Sequence, residues 1–349
     1  MESEAENQQE AEEQEEEPED QQEEEEEDLP PGGGVIPACV IEGSKHADGS
    51  IYRQDTHFCH RLYRLDDTRE TLLKPTNLSR PDTKNCRPNC ELHKGCAMMQ
   101  IFSLKLANHS AINNPTGPIH LYGFMAVRDL LQPLRNYVFN CTRDNPLILY
   151  PCPDDPSSPL LIPMTGPKRG IYLQARALIE FDLRIKRSAK EDEDLQLIDG
   201  AATFSELTPF HGVYTQRIHG DHGAAAVDIS LALLRQAVEA RIQISVPRIP
   251  AGGLCLSLAC LVSGIRQEIK LFNGVVDRAG NLEKSFVVAV VVRSPLILHF
   301  KVARAGGDME NNAVSHYRGY PAQVHGCNWD SIPIGHGTIE VKLSWANLD

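Results

Sequence analysis

Alternation of apolar and polar side chains dominates this chain from Met98 onward. In 170-GIYLQARALIEFDLRIK-186 the residues Ile171, Leu173, Ala175, Ala177, Ile179, Phe181, Leu183 and Ile185 share one parity. Tyr172, Gln174, Arg176, Glu180, Asp182, Arg184 and Lys186 share the other. Period two is the signature of a half-buried strand, here one long strand or two joined by a bend. The same rule holds in 238-VEARIQISV-246 and 339-IEVKLSW-345, while 286-FVVAVVV-292 is apolar throughout and β-branched, as a strand covered on both faces would be. Further strands are predicted at 99–107, 119–129, 196–204, 227–234, 268–276 and 296–302, with Gly, Pro, Asn and Asp between them. The nearest approach to a helical repeat, 126-AVRDLLQPLRNYVF-139, is broken by Pro133. No fixed-period repeat is present, which argues against a propeller or solenoid. The predicted fold is therefore all-β: an antiparallel β-sandwich or open barrel over residues 98–349.

Upstream the pattern changes. Residues 29–97 read as an irregular linker region, beginning with the breaker run 29-LPPGGGVIPA-38. Its one periodic piece, 51-IYRQDTHFCHRLYRL-65, predicts a short amphipathic helix with Tyr52, Phe58, Leu62, Tyr63 and Leu65 on the apolar face. Residues 1–28 hold seventeen Asp or Glu and no Lys or Arg. Setting those aside turns a net charge of −14 into +3 for the rest of the chain. With no aromatic or β-branched residue, this acidic tail is expected to be disordered, since it has too little apolar surface to offset its ordering entropy. It suits a solvating role, or contact with a basic protein partner such as a ribosomal or histone surface. It also argues against direct nucleic-acid binding, because it would compete with phosphate for any basic patch.

No signal-peptide pattern opens the chain. The longest apolar run, Phe286 to Val292, is far short of the roughly 20 residues that cross a bilayer. The expected compartment is cytoplasmic or nuclear, not secreted and not membrane-bound, with the ten cysteines largely reduced.

Candidate chemistry is sparse. Cys86, Cys90, His93 and Cys96 form C-x3-C-x2-H-x2-C, a candidate zinc clip whose first spacing suits zinc but whose four ligands crowd one short segment. Cys59 and His60 are candidates to complete such a set after a fold-back. The alternatives are a polar loop with reduced thiols, or a disulfide such as Cys86–Cys96, which a reducing compartment disfavours. The pair of histidines in 219-HGDHG-223 and the lone one in 335-GHG-337 read as tight turns rather than metal corners. No G-x-S-x-G elbow, phosphate loop, dinucleotide fingerprint or H-E-x-x-H motif occurs. No catalytic residue is assigned, and no cofactor beyond the candidate zinc.

The run 119-IHLYGFMAVRDLLQPLRNYVFNCTRDNP-146, with 99-MQIFSLKLA-107 before it and 159-PLLIPMTGPKRGIYLQARALIEFDLRIK-186 after it, resembles a plant family seen mainly in grasses and known only as a domain of unknown function. The resemblance extends over about residues 98 to 346 and implies a β-sandwich. Some members of that family lie beside a ribosome-inactivating N-glycosylase domain. The glycosylase's E-A-x-R helix motif is not found here; 238-VEARIQISV-246 has the wrong spacing and a strand pattern. The resemblance therefore implies an accessory, non-enzymatic interaction module linked to stress or defence, with rRNA N-glycosylase activity as the alternative by association only. Within the resembling stretch, Arg128 with Asp129, and Arg143 with Asp144, are the candidate binding residues, with mutual ion pairing as their structural role.

Overall fold

A computed structural model describes residues 38–73, 94–109, 117–155, 157–207, 212–220, 225–306, 313–334 and 337–348. The strands are β1 (Cys39–Val40), β2 (Cys96–Ala107), β3 (Ile119–Arg128), β4 (Asn136–Cys141), β5 (Leu147–Leu149), β6 (Leu160–Ile162), β7 (Ile171–Tyr172), β8 (Arg176–Ile185) and β9 (Leu195–Ser205). They continue as β10 (Tyr214–His219), β11 (Ala226–Arg248), β12 (Leu254–Val262), β13 (Ile269–Val276), β14 (Gly280–Val291), β15 (Pro295–Arg304), β16 (Val314–Pro321), β17 (Gly326–Ile334) and β18 (Gly337–Ala346). The one α-helix among the described residues, α1, spans Phe58–Leu62. All pairings between these strands are antiparallel, and no sheet closes into a barrel.

Three sheets form. The first runs β1-β9-β8-β3-β4, with β5 beside β3. The second, central sheet runs β17-β18-β11-β2-β6, with β10 and β14 also on β11 and β7 on β2. The third runs β13-β12-β15-β16. The central sheet serves two cores. Along β11, Leu231 and Leu233 pack with the first sheet, while their neighbours Ala232 and Leu234 pack with the third. Adjacent strand residues point to opposite faces, so the outer sheets cover opposite faces of β11. Farther on, Val238, Ala240, Ile242, Ile244 and Val246 all serve the second core. A bulge in β2 assists the hand-over: Ser103 pairs with Ser230 and Ile101 with Leu231, which leaves Phe102 unpaired and turned into the second core. The single expected sandwich is thus two sandwiches sharing a 23-residue strand.

The period-two segment 170–186 divides at Ala175, which sits at φ 71. That left-handed backbone ends the extended run, sending β7 to β2 and β8 to β3 and β9. The segments expected separately at 227–234 and 238–246 are one strand, continuous through a bulge at Gln236 (φ 52). The helix-like stretch 126–139 is the end of β3, a turn, and the start of β4.

Much of 38–73 is not a free linker. It lies on the outer face of the first sheet, where Ile41, Ile51, Cys59, Tyr63 and Leu65 bury against Leu178 and Ala201. The expected helix face is only partly used. Phe58 and Leu62 are exposed, while Tyr63 and Leu65 are buried with Ile51 and Cys59. One short helix turn cannot place all five predicted residues on the sheet.

Candidate functional site

In the run L-Y-G-F-M-A-V-R-D each unusual residue has a structural cause. Gly123 adopts φ 104, and a Cβ there would collide with the Asp182 carbonyl of β8. Arg128 ends β3 on the outer face, fully buried beneath the 38–73 segment. Its Nε donates to Glu180 at 2.7 Å, and its terminal nitrogens donate to the carbonyls of Tyr63, Arg64, Asp67 and Pro133 at 2.9–3.2 Å. Arg135, immediately before β4, reaches the same carboxylate, with its guanidinium 4.3 Å from the Phe124 ring centroid. Two arginines, one ending β3 and one just before β4, thus meet one buried Glu180, a residue that its place on the polar parity of β8 makes available.

His46 completes the cluster. Its Nε2 lies 2.9 Å from Glu180 and its Nδ1 2.6 Å from Asp199, and its backbone N–H also donates to Asp199 at 2.8 Å. An imidazole whose two nitrogens each face a carboxylate donates to both only as the imidazolium. Burial alone would lower its pKa, but the hydrogen bonds and charges of Asp199 and Glu180 raise it above the usual 6.5. Burial alone would raise Glu180; His46, Arg135 and Arg128 overcome that and hold it down to about 2. Asp199 is lowered too, by His46 and the N–H groups of His46 and Ala47 against the cost of burial.

These directions fix a stability window. The carboxylates contribute fully above their unfolded values of 3.8 and 4.5, and the contribution is lost as pH falls toward their folded values. His46 contributes fully below 6.5, and that contribution is lost as pH rises through its raised folded value. Urea midpoints should therefore fall as pH rises above 6.5 in the parent chain. His46→Gln should flatten that limb; an unchanged slope would refute the imidazolium bridge.

Asp129, one residue on, faces elsewhere. It takes a two-pronged contact from Arg169 at 2.6 and 2.8 Å and a bond from the Tyr172 N–H at 2.8 Å. Arg169 spends all five donors: two on Asp129 and one each on Thr71, Gln132 and Gly170. The Gly170 N–H in turn donates to buried Glu239 of β11 at 2.6 Å, tying the first sheet's loops to the central sheet.

The pairings expected within the motif do not form. Arg128 and Asp129 alternate across the strand end, so their side chains find separate partners. Arg143 pairs with Asp194 at 2.7 Å and with the carbonyls of Ser188 and Ala189. Its neighbour Asp144 is exposed in a turn. Of the candidate zinc ligands, Cys96 is buried at the start of β2, and Cys86, Cys90 and His93 lie outside the described residues. Cys59 packs in the small cluster under the 38–73 segment, its thiol pushed up to about 11 by burial. His60 bonds Ser44 and the Arg53 carbonyl. His219 ends β10; His222 and His336 lie outside the described residues. Among the described residues, no three His, Cys, Asp or Glu side chains gather as a metal site, and no helix is long and apolar enough to cross a membrane.

Further side-chain chemistry lies on the outer sheet faces. On the third sheet, His299 of β15 places Nδ1 2.7 Å from Glu268 and Nε2 3.4 Å from the Ser315 hydroxyl of β16, with Tyr317 stacked on its ring at 4.2 Å. On the central sheet, β17, β18 and β11 present Trp329, Lys342, Gln243, Ser344 and Arg241 away from the second core. Parity carried the signal for the tryptophan: Ile332 and Ile334 mark the buried side of β17, and Trp329 has the opposite parity.

Fold and site together define an all-β protein of two antiparallel sandwiches on a shared central sheet, with buried charge clusters at the ends of its strands. A family model described as "Domain of unknown function (DUF6598)" matches residues 98–343, and the chain belongs to that family. No curated protein matches it in sequence. Among solved structures it is similar to human GIVD cytosolic phospholipase A2, at 10% identity and TM-score 0.24, over 73% of this chain and 33% of that one. It is also similar to the calcium-bound pair of C2 domains of Extended-Synaptotagmin 2, at 10% identity and TM-score 0.25, over 72% of this chain and 97% of that one. The chain spans about a third of the phospholipase. At these TM-scores neither likeness bears on function.

Proposed function

We propose that this protein is a non-enzymatic β-sandwich interaction module, working in the cytoplasm or nucleus. One observation carries the reading. Arg128, Asp129 and Arg135 of the distinctive motif are buried and held by Glu180 and Arg169 from elsewhere in the fold, while aromatic and polar groups without such partners stand on open sheet faces. The acidic segment 1–28 supplies a second contact, to a basic protein surface of the ribosomal or histone kind. A plant stress or defence setting follows from the resemblance to grass proteins.

Affinity capture with the full chain and with a chain lacking residues 1–28 tests this reading. Basic partners should be lost on deletion, and partners of the sandwiches retained. Capture of nothing by either chain, or adenine release from intact ribosomes at catalytic rates, would overturn it; adenine release would install the N-glycosylase alternative.

A hydrolytic second reading has one observation in its favour, the Glu268···His299···Ser315 order, which is that of an acid, a base and a nucleophile. A fluorophosphonate adduct on Ser315 that disappears in His299→Ala would support it.

A further inference from the structure

The outer face of β17, β18 and β11 is a flat grid of three rows. Cys327, Ser344 and Arg241 form one row, Trp329, Lys342 and Gln243 the next, and Ser331, Glu340 and Ser245 the third. Trp329 is 68% exposed, whereas the chain's other tryptophan, Trp345, is fully buried in the second core. The Lys342 ammonium lies 4.8 Å from the Trp329 ring centroid, so the indole leans over β18 toward β11 with its remaining surface open.

Arg241 is the second element. It is half-buried, its Nε is buried with no hydrogen-bond partner, and no described carboxylate pairs with it. Elsewhere in the fold Arg128, Arg135, Arg169, Arg143 and Arg217 all hold carboxylates. Glu239, two residues along β11 on the same face, is engaged by the Gly170 N–H; a half-buried cation without a direct ion pair is costly, and a bound anion lowers that cost. Lys342 likewise has no described carboxylate partner. Glu340, the one carboxylate in the three central rows, lies in the row farthest from Arg241.

We propose that this face binds a short oligosaccharide bearing a carboxylate, a uronic acid. One sugar ring stacks on Trp329. The carboxylate is held by Arg241 and Lys342. Gln243, Ser344 and Ser331 exchange hydrogen bonds with the hydroxyls. Trp329 and Arg241 stand two strands apart, about 10 Å across the sheet, a span that asks for more than one sugar unit. The chemistry of the floor favours a saccharide over the alternatives. Its hydroxyl and amide side chains both donate and accept, as a polyol requires. Apart from Trp329 and Cys327, the side chains of its three rows are polar, which does not suit an apolar peptide anchor. Two cations on a chain carrying seventeen acidic residues in its first 28 do not suit a nucleic acid.

The proposal rests on the interaction-module reading and is tested apart from it. Because Trp345 is buried, a change in intrinsic fluorescence on ligand addition reports Trp329. Titration of the full chain with trigalacturonic acid should give a saturable change. Affinity should fall at least tenfold for the neutral methyl ester and for Arg241→Ala. The signal should vanish in Trp329→Ala, an exposed position whose loss leaves the thermal midpoint in place. Absence of saturation at millimolar sugar, equal binding by Arg241→Ala, or tighter binding of a trinucleotide would overturn the proposal. If the sugar fails while affinity capture still returns partners, only this inference falls; if trigalacturonic acid is cleaved, the non-enzymatic reading falls instead.

Discussion

Asp129→Ala should cost about 3–5 kcal/mol of stability, because it strips Arg169 of its counter-ion in a site the guanidinium cannot leave. Arg169 is 2% exposed, with Thr71, Gln132 and Gly170 already occupying its remaining donors. The loss also frees the Tyr172 N–H and loosens the loop whose Gly170 bonds Glu239. Removing an exposed ion pair would cost at most about 1 kcal/mol, so the magnitude separates the two placements. Chemical denaturation followed by circular dichroism reads it. A loss under about 1 kcal/mol would show that Asp129 is free to serve a ligand.

The second large effect concerns the shared strand. Ile179 on β8 lies in the first core and Leu256 on β12 in the second, both fully buried. Ile179→Ala and Leu256→Ala should each cost about 2–5 kcal/mol. Both should lower one and the same unfolding transition, since β11 contributes side chains to both cores and cannot leave one intact. Calorimetry that resolves two transitions, each moved by only one substitution, would show that the sandwiches are independent.

Most of the strands could be read from the sequence where one face is buried and the other wet. β2, β3, β8, β9 and β18 fall where period-two alternation places them. β12 escaped because 254-LCLSLACLV-262 has small Cys, Ser and Ala side chains on its outer face, which blur the contrast between faces. β17 was hidden by Pro333 and by Trp329, an aromatic on the wet side. The division at Ala175 left no mark, because a positive φ at an alanine is imposed by tertiary packing and not by local preference. The site was half legible. The R-D of the motif stood out, but Glu180 and Arg169 lie 52 and 40 residues away along the chain and read as ordinary strand and loop residues. His46 gave no signal at all, since its two carboxylates come from different strands that only the folded sheet brings together.

The central claim is that the motif's charges are spent inside the fold. A double-mutant cycle on Arg128→Ala and Glu180→Ala measures this directly. If each side chain is the other's buried partner, the two losses will be coupled by about 1–3 kcal/mol, with the double variant less damaged than the sum of the singles. Losses that add within about 0.5 kcal/mol, each of them under about 1 kcal/mol, would place Arg128 at the surface and contradict the account.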